Sequence, residues 1–411
     1  MTELKLGVLG LGPRGRFLLE TMDKAVDNVR VVAYYDPQDD RMDLTKEIVP
    51  DAYRAKSEDD LFSFDCDAIL IASIWSEHIR QAVKALRSGK HVAMEVGGAY
   101  SEGELWELIR AVEETGLKFM LLENVCYMDN ELSVFKLAKE GAFGEIVYAE
   151  GGYEHDLRGQ ITLGRENHHG RHLNFRHRNA DLYPTHQLGP ICKVLDINRG
   201  NRILTVSAQS SKARGLNYWA KTHKGDDYDM AHEPFKEGDI VSSNLVCANG
   251  ELIHLTHGCT LPRPYSRDGR IQGTKGLWLE DKDAVYFDEP QFEKNTDGHE
   301  WIPFKDVKEK NRHPLWTWYE KAGVKDEGHG GADYLTLSAF AYAVLNDLDT
   351  PIDVYDAAVW MAITYLSEQS IAMGGAPVAM PDWTKGQWLI RRKESTSKWM
   401  LSDIAPEEYY N

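Results

Sequence analysis

The sequence predicts a doubly wound α/β domain followed by an α+β domain with an open, mainly antiparallel sheet. Three features predict it: short apolar runs alternating with amphipathic stretches as far as residue 125, a glycine-rich turn after the first run, and a later change to strands set among polar loops. Runs at 4–9, 29–35, 68–72, 91–94 and 119–122 are mainly apolar, interrupted only by Lys5, Arg30 and His91 near their starts, as strands of a parallel sheet are when helices cover both faces. Helix patterns fall between them at about 14–25, 78–88 and 101–115, which completes a β–α alternation. After a helix near 129–140, residues 145–153 read as a strand, 155–180 are polar and histidine-rich, and 203–209, 240–247 and 251–257 are further strand candidates. Residues 333–347 and 356–373 carry the strongest helix patterns of the C-terminal part. The expected division is 1–125 and 126–411, with the C-terminal helices packing back toward the first domain.

Charge and cysteine usage narrow the partners. There are 47 Lys and Arg against 65 Asp and Glu, so the net charge is 47 − 65 = −18 with histidine neutral. Such a field repels phosphate backbones and anionic surfaces, and neither nucleic acid nor a membrane is expected as a partner. No run approaches the roughly 20 apolar residues of a membrane span. Residues 1–7 lack the basic stretch and apolar core of a secretory signal, so a cytoplasmic protein is expected. Cys66, Cys126, Cys192, Cys247 and Cys259 are odd in number and form no CxxC pair; buried thiols are expected rather than disulfides or a zinc knuckle.

The first strand runs into Gly10-Leu11-Gly12-Pro13-Arg14-Gly15, which opens a helix, and Asp36 ends the next strand, 36 − 15 = 21 residues after the third glycine. Gly10 permits the tight turn, Gly12 lets backbone approach a pyrophosphate, and Gly15 allows close helix–strand packing. The helix N-terminus offers oriented N–H groups to the anion. Asp36 accepts protons from both ribose hydroxyls and repels a 2′-phosphate, so NAD is favoured over NADP. Ligands of parallel sheets sit beyond the carboxyl ends of the strands. That points to Trp75 and His78 after the third of these strands, to Glu95 and Val96 in a glycine-flanked loop, and to Glu123 and Asn124 after the last.

This glycine fingerprint, a strand ending in Glu95 and an open-sheet second domain resemble the Gfo/Idh/MocA oxidoreductase family, with its N-terminal Rossmann domain, across nearly the whole chain. Most members carry Glu-Lys-Pro where this chain has Glu95-Val96-Gly97, which counts against an ordinary polyol or inositol dehydrogenase. More specific strings are Glu123-Asn124, Glu150-Gly151-Gly152-Tyr153-Glu154-His155-Asp156-Leu157-Arg158, Leu182-Tyr183-Pro184-Thr185-His186-Gln187-Leu188-Gly189-Pro190, Asn198-Arg199-Gly200, Pro264-Tyr265-Ser266-Arg267 and Gly328-His329-Gly330-Gly331. In this order they are similar to glycoside hydrolase family 109, the NAD-dependent α-N-acetylgalactosaminidases. The resemblance implies a glycosidase that keeps its NAD and restores it to the oxidised form each turnover. It implies cofactor contacts at Arg14, Gly15, Asp36, 75–78, Glu95, Val96 and Asn124, and substrate contacts at Tyr153, Arg171, Tyr183, Pro184, Thr185, His186 and Tyr265. Two departures from the family pattern are Trp75-Ser76-Glu77-His78, where a more aromatic string is usual, and Ala332, where a methionine is usual.

Chemically, oxidation of C3 to a ketone acidifies the C2 proton, whose removal lets the C1 oxygen depart before water adds and C3 is reduced again. Such a cycle needs tyrosine or histidine beside the hydroxyls, whereas most glycosidases use two opposed carboxylates. His186 is the expected proton-transfer group, since imidazole titrates near neutrality. Tyr153 and Tyr183 are candidates either to protonate the leaving oxygen or to deprotonate the C3 hydroxyl. Glu123, His155 and His329 are further candidate substrate contacts. The basic stretch 165–178 holds one acid, Glu166; it reads either as a solvated loop or as a substrate wall presenting Arg171 as a fixed donor fork. His168 and His172 are not expected to bind metal, because Gly170 interrupts the helix. The alternatives to a glycosidase are an NAD-dependent sugar or polyol dehydrogenase and a non-catalytic, sugar-sensing NAD-binding protein. The open sheet face predicts a dimer or tetramer.

Overall fold

The computed structural model describes residues 2–288, 300–324, 328–391 and 393–410. The chain falls into two compact units: Met1–Ser133 with Arg312–Ala358 and Arg392–Asn411, and Val134–Asn311 with Val359–Arg391.

The first unit is built on a six-stranded sheet of Leu4–Leu9 (β1), Val29–Tyr35 (β2), Tyr53–Arg54 (β3), Ala68–Ile71 (β4), His91–Met94 (β5) and Phe119–Leu121 (β6) in the order β3-β2-β1-β4-β5-β6. Every pairing is parallel. Leu4, Leu6, Val8, Ile69, Leu70, Val92 and Leu121 are fully buried, because helices cover both faces of the sheet and leave no polar side to these strands. The order reverses between β1 and β4, so the carboxyl ends of β1, β4 and β5 border the crevice in which such sheets bind nucleotides. The later segments of this unit are tied to β6 and to the short turn after it. Leu121 N–H donates to the Ile352 carbonyl at 3.2 Å, the Thr350 hydroxyl to the Phe119 carbonyl at 2.6 Å, and the Tyr127 hydroxyl to the Trp399 carbonyl at 2.7 Å.

The second unit holds Ile146–Glu154 (β7), Ile203–Ser210 (β8), Val241–Cys247 (β9), Leu252–Gly258 (β10), Arg270–Gly273 (β11), Gly276–Leu279 (β12), Ala284–Phe287 (β13), Ile302–Pro303 (β14) and Val378–Ala379 (β15) in the order β14-β13-β12-β11-β7-β10-β9-β8-β15. Among the described strands of this second sheet, only β7 and β10 pair in parallel. Burial alternates along β9, with Val241, Ser243, Leu245 and Cys247 inside and Asn244 and Val246 exposed, the pattern of a sheet covered on one face. The open face mixes polar Ser242, Asn244, His254 and Thr256 with apolar Val246 and Leu252, so it is less apolar than the sequence suggests.

The covered face carries the helix Thr185–Val194 against β7. The two approach closely because β7 has glycine at 151: a Cβ there would lie 3.1 Å from both the Cβ and the carbonyl oxygen of Gln187. The stretch 155–180, polar in sequence, folds into short helices, Arg158–Thr162 and Arg171–His177, the second starting directly after Gly170. All five cysteines are buried and free. No helix among the described residues is long and apolar enough to cross a membrane.

Candidate functional site

In the first unit, the glycine turn has the form a pyrophosphate requires. Gly10 sits at φ +91°, and a Cβ there would lie 2.5 Å from the backbone of Ala72 and Ser73. A Cβ on Gly15 would lie 2.0 Å from the Gly10 carbonyl oxygen, whereas one on Gly12 would meet nothing nearer than Arg41 Nη1 at 3.8 Å. Two glycines are therefore demanded by packing, and the middle one opens on free space. The helix Pro13–Lys24 starts at Gly12 with no side-chain cap, leaving its first N–H groups for an anion. Asp36 is buried; its Oδ2 accepts the Leu11 N–H at 2.7 Å and its Oδ1 the Gln38 N–H at 2.9 Å, which ties β2 to the turn. Arg41 Nη1 stands 3.6 Å from Asp36 Oδ2. An open middle glycine, an uncapped helix start and an acid at the end of β2 fit a dinucleotide.

Around this turn the chain assembles a charged cluster. Arg14 Nε donates to Glu95 Oε1 at 3.0 Å, while its Nη1 and Nη2 donate to Asp333 Oδ2 and Oδ1 at 2.7 and 2.8 Å. Asp333 also accepts from Asn124 Nδ2 at 2.7 Å and bonds His329 Nδ1 at 2.7 Å. Burial opposes a charge on Asp333, but Arg14 and His329 outweigh it and hold the carboxyl far below its usual range. The hydrogen bond to Asp333 raises the His329 pKa against the cost of burial. Three sequence candidates, Arg14, Asn124 and His329, thus meet on a residue the sequence reading missed, and Glu95 joins them through Arg14. The Arg14 guanidinium, expected in the phosphate loop, is engaged by two carboxylates. His329 keeps φ +46° between glycines, and a Cβ on Gly328 would strike the Phe17 ring and Asp333.

The remaining candidates of this unit take defined places. His78 is buried, its Nε2 3.1 Å from the Ser73 carbonyl oxygen, and burial lowers its pKa to about 4, so the ring is neutral. Trp75 opens the helix Trp75–Arg87 and packs on Gly97, where an added Cβ would lie 3.3 Å from the indole. Val96 is buried. Glu123 is fully buried, and its Oε1 accepts the Val125 N–H at 3.1 Å, capping the short turn Asn124–Tyr127.

In the second unit an aromatic and imidazole wall forms about Tyr153. Its ring centroid lies 4.3 Å from Tyr183, 5.6 Å from His186, 6.2 Å from His155 and 6.3 Å from Tyr265. Tyr183 and His186 meet edge to face at 4.9 Å across the start of the helix Thr185–Val194, whose N-cap is Pro184. Pro184, between them, opens the helix, so the two residues fall on one turn. The Thr185 hydroxyl is buried with no hydrogen-bond partner among the described residues. The Arg171 guanidinium lies 5.3 Å over the Tyr183 ring and also bears on Tyr153. Burial raises the Tyr153 pKa, with Arg171 opposing. Burial lowers that of His155, and Arg171 adds to it.

The basic stretch is neutralised by acids distant in sequence. Arg165 pairs with Asp229, Arg176 with Glu233 at 3.0 Å and Arg178 with Glu368 at 2.6 Å, leaving Arg171 turned toward the tyrosines. Beneath the wall lie three buried titratable groups absent from the sequence reading: Asp181, Glu237 and His257.

Residues 4–122 match the oxidoreductase family, NAD-binding Rossmann fold. The fold is shared with an NAD binding oxidoreductase from Klebsiella pneumoniae, at TM-score 0.71 and 16% identity over 93% of this chain and 100% of that one. It is also shared with a scyllo-inositol dehydrogenase from Lactobacillus casei, at TM-score 0.65 and 17% identity over 92% and 99%. The N-terminal segment is thus a nucleotide-cofactor domain, and the chain is an enzyme on the Gfo/Idh/MocA oxidoreductase fold.

Residues 127–390 match the glycosyl hydrolase 109 C-terminal domain. The chain is 40% identical over 348 residues, 80% of its length and 73% of the relative's, to an alpha-N-acetylgalactosaminidase of Tannerella forsythia. It is 36% identical over 428 residues, 95% and 89% of the two chains, to a glycosyl hydrolase family 109 protein of Parabacteroides distasonis. The chain belongs to glycosyl hydrolase family 109.

Proposed function

We propose that this protein is an NAD-retaining glycoside hydrolase that cleaves a hexoside, with an α-N-acetylgalactosaminide as the first substrate to test. The observation that carries this reading is the Tyr153–Tyr183–His186 wall. Four acids near it among the described residues are engaged: Glu154 with Arg263, Asp156 with Arg158, Asp181 with Gln187 and Glu237 with the Ala180 N–H. These four offer no opposed pair of unpartnered carboxylates for two-carboxylate hydrolysis. NAD, when bound at the glycine turn, supplies the oxidation of the C3 hydroxyl and its later reduction.

The protein's own part is proton transfer and charge stabilisation. Tyr183, acting as its phenolate, takes the proton of the C3 hydroxyl at Oη and returns it when C3 is reduced, and His186 takes the acidified C2 proton at a ring nitrogen and returns a proton to C2 when water adds at C1. Tyr153, kept protonated by burial, gives its Oη proton to the departing C1 oxygen. Arg171 places positive charge beside both phenols and stabilises the oxyanion that forms between these steps. His155, Thr185 and Tyr265 shape the sugar contact. In the first unit, Gly10, Gly12, Gly15, Asp36, Trp75, Val96 and the Arg14–Glu95–Asn124–His329 cluster hold the nucleotide, and Glu123 and His78 fix the strand ends from which they project. We assign the division near 125/126 as the boundary between the cofactor and sugar modules, and the open face of the second sheet as the contact in a dimer or tetramer.

The experiment is release of nitrophenol from an aryl α-N-acetylgalactosaminide in heavy water without added NAD. Release with deuterium entering C2 supports the reading. Steady accumulation of NADH in a parallel assay with NAD added makes the protein a dehydrogenase, and sugar binding with neither signal makes it a sensor.

A further inference from the structure

β7 and β10 pair in parallel, and their register sets Tyr153 opposite His257. On the covered face, Ile253 and Leu255 of β10 are buried, and His257 takes the next inward position. A histidine there is costly unless neighbouring charge or hydrogen bonding offsets its burial. Its Nδ1 lies 3.2 Å from Glu237 Oε1 as a charge pair without hydrogen-bond geometry, its Nε2 lies 3.5 Å from Cys259 Sγ, and Cys259 Sγ reaches the Tyr153 carbonyl oxygen at 3.7 Å. The imidazole lies nearly parallel to the Tyr153 ring, at 16° and 6.4 Å between centroids, with Phe175 at 5.9 Å. Glu237 uses its other oxygen, Oε2, to accept the Ala180 N–H at 2.9 Å, fixing the segment that leads to Tyr183.

We infer that His257 and Glu237 form a positioning pair for Tyr153, holding its ring in the wall and laying positive charge along the ring face, so that the phenol gives its proton more readily. This rests on the reading that Tyr153 protonates a leaving oxygen. The groups facing His257 are Glu237, Cys259, Tyr153, Phe175 and, more distantly, Asp181. Burial opposes a charge on His257, yet Cys259 and Glu237 raise its pKa well above the ordinary value. Burial lifts Glu237 to about 7 and Asp181 to about 6. Near neutral pH the pair therefore holds a shared proton next to Tyr153, and Arg171 completes the positive surroundings.

The test uses the full-length, NAD-containing protein with His257→Gln and Glu237→Gln. The glutamine at 237 keeps an oxygen for the Ala180 N–H while removing the charge, and this variant carries the test by itself should His257→Gln not fold. Tyr153 ionisation is read from tyrosinate ultraviolet absorption, each variant being compared with its Tyr153→Phe counterpart. Both substitutions are expected to move the Tyr153 midpoint upward by about one unit. On an aryl glycoside they are expected to lower kcat at least about tenfold with KM within about twofold, and to cost nothing further in the Tyr153→Phe background. An unmoved Tyr153 midpoint in both variants overturns the inference, whatever happens to turnover. A moved midpoint in a protein that cleaves no glycoside upholds the pair and removes the proposed reaction instead.

Discussion

Substitution of Asp333 by asparagine takes a carboxylate away from three side chains at once. Asp333 has 1% of its side chain exposed and receives two Arg14 hydrogen bonds, one from Asn124 and one from His329. Breaking a buried ion pair from one side costs about 3–5 kcal/mol. Arg14 is one-third exposed and keeps Glu95, so the lower end applies, about 3 kcal/mol, or a loss of roughly 6 °C in Tm. The pH dependence has a definite sign. Asp333 stays ionised from mildly acidic pH upward because its folded pKa is depressed. His329 has a raised folded pKa, so its contribution is full below the ordinary histidine value and is lost as pH rises through the folded one. Its side chain is half exposed, and screening keeps this share below about 1 kcal/mol. Scanning calorimetry from about pH 5.5 to about pH 8.5 should show the gap between the wild type and Asp333→Asn narrowing as pH rises. Equal Tm values, or a gap that widens with pH, would refute the reasoning.

Gly10→Ala and Gly12→Ala should separate folding from binding. The first forces a Cβ into the Ala72–Ser73 backbone and should cost at least about 2 kcal/mol. The second meets open space and should leave Tm nearly unchanged while lowering the NAD that co-purifies, read by absorbance after denaturation. His186→Ala and Tyr183→Phe should each lower kcat by about 10²–10⁴ with NAD content intact. Gly151→Ala should press the helix Thr185–Val194 away from β7 by a few tenths of an ångström and lower kcat about tenfold with nucleotide content unchanged, which steady-state kinetics and NAD extraction would show.

The parts of the fold that were legible carry their own chemical signature. Strands covered on both faces, β1, β2, β4, β5 and β6, are apolar over most of their length, with Lys5, Arg30 and His91 only near their starts, and the glycine turn is forced by backbone contacts at Gly10 and Gly15 that no side chain survives. β3 and β11 to β14, two to four residues each, are too short to display a period. Ion pairs that span the chain are equally silent. Counted locally, 165–178 is a basic run with one acid, but Asp229, Glu233 and Glu368 arrive from elsewhere and neutralise it.

The candidate site divides in the same way. Tyr183 and His186 were legible as candidates because both lie in the string 182–190, and the structure brings their rings to 4.9 Å. Asp333 was not, although a lone acid heading a helix with no other charged residue, Ala332–Leu345, is an imbalance that calls for a cationic partner. His257 left a comparable trace as the third inward position after Ile253 and Leu255. Its partner Glu237 lies in a loop, and no period links the two.

The central claim is that a sugar carbon is oxidised and reduced within one turnover on the enzyme. The direct measurement is cleavage of an aryl α-N-acetylgalactosaminide carrying deuterium at C3, followed by mass analysis of the released sugar. The account predicts slower turnover than with the unlabelled glycoside and a product that keeps deuterium at C3. Equal rates for the two glycosides, together with no transient NADH absorbance when enzyme and glycoside are mixed, would contradict it, because neither signal of C3–H bond breaking would then be present.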